Sequence, residues 1–127
     1  MLFQNALASL AVKDLNSAIK WYETLFGKPA DSRPMPEVAE WSFERGGWLQ
    51  VYQLPERAGC GSVTLTVSNL EEVVAKLENM GVNTGERSSN EKLEILMITD
   101  PDGNHLALVE PINPKLAQCI DAAVSVL

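Results

Sequence analysis

Residues 9–27, SLAVKDLNSAIKWYETLFG, are echoed by residues 64–81, TLTVSNLEEVVAKLENMG. Each stretch opens with alternating apolar and small polar residues, the pattern of a strand with one buried face. Each then reaches a short polar residue, Asp14 or Asn69, whose side-chain oxygen suits the free N–H groups of a first helical turn. Leu15, Ala18, Ile19, Tyr22 and Leu25 follow at helical spacing, as do Leu70, Val73, Val74 and Leu77. Gly27 and Gly81 stand where helix C-caps belong. A strand–helix unit that occurs twice at this interval predicts a duplicated architecture.

The segments downstream of each helix match more loosely. EWSFERGGWLQVYQL (residues 40–54) reads as two strands joined at Gly46-Gly47. KLEILMITDPDGNHLALVEP (residues 92–111) reads as two strands joined at the Asp100-Pro101-Asp102-Gly103 turn. There proline presets φ and glycine accepts a positive φ. The fold class is α+β: two βαβββ modules forming a curled mixed sheet around a cavity, plus a C-terminal helix. Residues 1–127 make a single domain, with module one over about 3–54, a linker over 55–60 and module two over about 61–111. The short strand after each helix is poorly marked. The tail predicts a helix over about 114–126, with Leu116, Ile120 and Val124 on one face.

Composition narrows the function classes. A chain of 127 residues with 46% hydrophobic and 21% charged residues can bury a proper core. A net charge of −7 argues against nucleic acid, because nothing would neutralise phosphates. Cys60 and Cys119 are far apart and form no framework, which fits a reducing compartment. No apolar run approaches the roughly 20 residues that span a bilayer. The start, MLFQNALASLAVKDL, lacks the basic opening of a signal peptide. The expectation is a cytoplasmic protein with no membrane or nucleic-acid partner.

The order VKDLNSAIKWYETLFG, half-length repeat, DPDGNHLALVE resembles the vicinal oxygen chelate superfamily, which includes glyoxalase I, extradiol dioxygenases and bleomycin-resistance proteins. The resemblance covers about the first 111 residues. It implies two modules whose sheets curl around a shared cavity, commonly in a homodimer. Such a fold hosts many activities, so function has to be read from the site.

Strand alternation predicts which side chains face that cavity. Val63, Leu65 and Val67 form an apolar row under the helix, leaving Ser62 and Thr64 inward. Leu106 and Leu108 likewise leave His105, Ala107 and Val109 inward. Leu49 and Val51 pack outward, so Trp48, Gln50 and Tyr52 face the cavity. With Gly46-Gly47 as the loop, Arg45 pairs with Trp48, Phe43 with Gln50 and Trp41 with Tyr52, which puts Trp41 and Phe43 on the cavity wall. Met97 completes the wall. Trp21 and Tyr22 are packing or interface residues.

In metal-dependent members that the chain resembles, the ligand positions fall here on Leu7, Gln50, Ser62 and Ala107. A catalytic divalent metal generally wants three ligands from His, Asp, Glu or Cys. An alkyl group, an amide, a hydroxyl and a methyl do not supply them. His105 lies two residues from Ala107, roughly 6.6 Å along a strand, and cannot substitute. It reads as a polar residue flanking the turn, with a base or donor at the rim as the functional alternative. Glu44, Glu94 and Glu110 fall on the opposite face or at strand ends, so no acid–base pair assembles.

The sequence thus leads to a protein without metal or other cofactor that binds a small planar or aromatic ligand. Its candidate ligand-binding residues are the aromatics Trp41, Phe43, Trp48 and Tyr52, with Met97, and the polar Gln50, Ser62, Thr64 and His105. Two other readings stand beside it. One is a lyase, isomerase or dioxygenase with a shifted metal site; the other is a structural or regulatory dimer without a ligand.

Overall fold

The computed structural model describes residues 1–112. The expected C-terminal helix over 114–126 lies outside the described residues. In chain order the elements are β1 (Ala8–Val12), α1 (Leu15–Phe26), β2 (Ser32–Met35), β3 (Val38–Ser42) and β4 (Trp48–Gln53). A 3-10 turn at Pro55–Arg57 leads to β5 (Ser62–Thr66), α2 (Leu70–Asn79), β6 (Arg87–Ser89), β7 (Leu93–Thr99) and β8 (His105–Pro111). Both halves are βαβββ units. They form two four-stranded mixed sheets with orders β1-β4-β3-β2 and β5-β8-β7-β6. In each, the first strand runs parallel to the last, with Ala8 opposite Leu49 and Ser62 opposite His105. The remaining pairings are antiparallel.

The helices begin where their caps dictate. Asp14 accepts from the Ser17 amide at 3.1 Å and Asn69 from the Glu72 amide at 3.2 Å. Hydrogen bonds from Ser17 also hold the Asp14 carboxyl below its ordinary pKa. Gly27 ends α1 at φ 74°. Met80 is the cap residue of α2, and Gly81 follows it at φ 76°. Leu10, Val12, Leu49 and Val51 pack under α1, and Leu96, Ile98, Leu106 and Leu108 under α2, within one continuous core.

The quoted turn at residues 100–104 joins the two modules. Asn104 has no exposed surface, and its side-chain amide donates to the Ala11 carbonyl at 2.8 Å and to Asp100 Oδ2 at 2.9 Å. Its Oδ1 accepts from the Gly61 amide at 2.9 Å. The Tyr22 hydroxyl donates to Asp100 Oδ2 at 2.7 Å. The Asp100 side chain also accepts from the amides of Asp102 and Asn104. The carboxylate is therefore saturated by donors, as a buried charge must be. Gly59 has φ 86°, and a Cβ there would lie 2.2 Å from the Asp102 carbonyl oxygen, so only glycine fits against this turn.

The hairpin in module one differs from its expected register. Phe43 and Gly47 close the turn, with the Phe43 amide donating to Gly47 at 2.8 Å and Gly46 to Phe43 at 3.0 Å. The ladder therefore begins with Ser42 opposite Trp48 and places Glu40, not Phe43, opposite Gln50. Side chains alternate along a strand, so a slip by an odd number of residues exchanges the two faces. Trp41 and Phe43 move to the helix side, and Glu40 takes the open side.

Candidate functional site

Each sheet has one face under its helix and one away from it. On the open face of module one, Trp48, Gln50 and Tyr52 alternate with the buried Leu49 and Val51. All three are half-buried. Gln50 is the centre of a polar row: its Oε1 accepts from the Ser9 hydroxyl at 3.3 Å, and its amide nitrogen donates to Glu40 Oε2 at 2.9 Å. The two rings stand one strand step on either side of that row. Trp48, Gln50 and Tyr52 thus occupy the face expected of them.

Trp41 and Phe43 do not, and here the expectation needs correction. Trp41 is 0% exposed, and its indole nitrogen donates to the Lys28 carbonyl at 3.1 Å. Its ring centroid lies 5.9 Å from Tyr22 and 5.8 Å from Phe26. Phe43 meets Phe26 edge-on at 5.2 Å. These rings form an aromatic cluster on the α1 side, in contacts of the usual edge and tilted kind. The fully buried Tyr22 belongs to it. Burial, and then the charge of Asp100, pushes the Tyr22 phenol well above its ordinary pKa.

In module two the open face carries Ser62 and Thr64 of β5, both exposed, and His105 of β8, exposed opposite Ser62 and Thr99. Ala107 lies between Thr64 and Met97 in the ladder. Met97 is half-buried there. Leu7 is 50% exposed just ahead of β1.

At the positions that the sequence resemblance would give to metal ligands, the open faces present Gln50, Ser62 and Ala107, with Leu7 just ahead of β1. Among the described residues no three His, Cys, Asp or Glu side chains come together in a way that would hold a metal ion. An amide, a hydroxyl and two alkyl groups are not the donor set of a divalent metal. Two of the carboxylates set aside in the sequence, Glu110 and Glu94, have other partners. Glu110 accepts from the Leu70 amide at 2.6 Å at the start of α2, and Glu94 lies 3.6 Å from Arg87. Glu44 is exposed in the turn. Glu40 is the carboxylate that sequence reasoning missed. The signal for it lies in the Phe43–Gly47 turn, because only the correct loop length tells which face Glu40 takes.

Comparison with known proteins gives the wider setting. Residues 5–108 match the sequence profile of the Glyoxalase/Bleomycin resistance protein/Dioxygenase superfamily. A glyoxalase/bleomycin resistance protein from Catenulispora acidiphila has a similar structure, with TM-score 0.75 and 30% identity over 85% of this chain and 98% of that one. TnmS3, an antibiotic binding protein from a Streptomyces species, aligns at TM-score 0.73 with 21% identity, over 86% and 96% of the two chains. A bleomycin-binding protein solved with bleomycin aligns at TM-score 0.65 with 20% identity, over 85% and 98%. No match was found among curated proteins.

Proposed function

Since the chain belongs to the Glyoxalase/Bleomycin resistance protein/Dioxygenase superfamily, we propose that it binds a small planar or aromatic molecule without a metal. The observation that carries this reading is the open face of β4. Trp48 and Tyr52 flank the hydrogen-bonded Ser9–Gln50–Glu40 row there. Flat polarisable surface beside a few fixed polar groups is what a small-molecule site needs. Ser62, Thr64, Met97 and His105 on the open face of module two supply the complementary wall. Trp41 and Phe43 act from the core side, as support. The antibiotic-binding and bleomycin-binding structures of the same fold favour binding over catalysis here.

Glu40 favours a second reading, an enzyme with a shifted metal site, because it puts one carboxylate beside Gln50. Elemental analysis of purified protein separates the two. We predict far less than one Zn, Ni, Fe or Mn per chain, whereas near-stoichiometric metal lost in Glu40→Gln would overturn the metal-free reading and favour the second one. For the ligand, a planar aromatic solute should quench tryptophan fluorescence and raise the melting temperature. At a hundredfold excess over Kd, mass action stabilises the fold by about 2.7 kcal/mol. Trp48→Ala should abolish both effects. If binding survives in that variant, the open face of β4 is not the site.

A further inference from the structure

We propose that the planar ligand of the open face is a cation selected by Glu40, an assignment that rests on the planar-ligand reading above. Glu40 is half-buried and stands opposite Gln50 in the β3–β4 ladder. Trp48 and Tyr52 are the residues of β4 on either side of Gln50 that share its face, so each ring is a diagonal neighbour of Glu40. Diagonal neighbours stand ~7–8 Å apart, within reach of aromatic and long side chains. The carboxylate is thus placed between two rings. A flat cation laid on either ring would meet negative charge twice, once from the π-face and once from Glu40.

The charges of the two sheets are arranged to leave Glu40 uncancelled. Among the described residues its carboxylate meets the neutral Gln50 amide and lies within ion-pair distance of no lysine or arginine. An ionised carboxylate has about four acceptor positions, and Gln50 occupies one of them. The eight strands contain no lysine and two arginines. Arg87 lies on the helix side, bonded to Glu71 of α2. Arg33 donates to the Val38 and Pro36 carbonyls at 3.0 and 3.1 Å. The other strand carboxylates also serve the helix side, Glu94 beside Arg87 and Glu110 at the start of α2. Glu40 is therefore the one strand carboxylate on the open side, with His105 of module two as the one basic group there. The net charge of −7 draws cations from a distance, and Glu40 decides where they are held.

The test titrates three planar probes into the full chain and follows the resonances of the Trp48 indole and the Gln50 side-chain amide. They are N-methylquinolinium, a fixed cation; quinoline, uncharged at neutral pH; and 2-naphthoate, an anion. N-methylquinolinium should bind roughly tenfold tighter than quinoline, and 2-naphthoate should be the weakest of the three. Glu40→Gln removes the charge and keeps an acceptor for the Gln50 amide, so the ratio between cation and neutral probe should fall to about one. Glu78→Gln removes the same charge from the exposed side of α2. It should keep the preference, in salt that screens long-range attraction as well. The proposal is overturned if quinoline and N-methylquinolinium bind the parent equally, or if their ratio survives in Glu40→Gln. It is overturned too if Glu78→Gln loses the preference to the same degree, which would assign it to net charge. Quinoline binding without a preference removes this assignment and keeps the planar-ligand reading, whereas binding of no probe at Trp48 removes both.

Discussion

Trp41 is sealed in the core and Trp48 is half-exposed on the other side of the same hairpin, so truncating each reads a different energy. Trp41→Ala should cost about 3–5 kcal/mol in chemical denaturation, with or without ligand. Trp48→Ala should cost far less, and a cost as large as that of Trp41→Ala would mean that it too is core. Tyr22 offers a test through pH. Its folded pKa is raised, so the folded state keeps a proton that the unfolded chain loses above the ordinary value of 10.0. The stabilisation is therefore full below pH 10 and lost as pH rises beyond it, at up to ~1.4 kcal/mol per pH unit. Tyr22→Phe should flatten that fall; an unchanged slope would assign it to other groups. Neither Asp100 nor Asn104 stands out as buried in the sequence. Both are ordinary turn residues by type, and only the approach of Tyr22, Ala11 and Gly61 from distant segments makes them a junction.

The two helices share a design but differ in their caps, and acid should tell them apart. Asp14 has a lowered pKa, so its contribution to α1 is present above the unfolded value of 3.8 and lost as pH falls through the folded value. The effect of Asp14→Ala on stability should therefore shrink in acid. Asn69→Ala should cost about 1 kcal/mol with no such dependence below pH 5, as differential scanning calorimetry of the paired variants can check. Both helices and the long strands were legible in the sequence because each has one buried face, which imposes a period. β2 and β6 were not: β2 is largely exposed and contains Pro34, and Arg87–Ser89 is exposed throughout. A short edge strand without a buried row has no alternation to detect. The register of the β3–β4 hairpin failed for a related reason. Adjacent glycines at Gly46-Gly47 suit a two-residue loop, whereas the chain closes from Phe43 to Gly47, and that choice alone decided the fate of Trp41, Phe43 and Glu40.

At the scale of the molecule, the open faces and the apolar start at Met1, Leu2 and Phe3, each more than 80% exposed, are surfaces that a second copy would cover. We predict a homodimer, and a monomer mass by light scattering at micromolar concentration would refute it. The parallel pairing of β1 with β4, and of β5 with β8, carries a kinetic corollary. Ala8 meets its partner only at Leu49, and Ser62 only at His105, so the first strand of each module is the last to be zipped. Contacts this distant along the chain slow folding, because loop entropy is lost before they form. During synthesis Leu10 and Val12 lack their strand neighbours until β4 has been made, and the second module repeats the delay with Val63 and Leu65. A nascent chain would therefore close its halves in turn, N-terminal first, each only when its own final strand has cleared the ribosome.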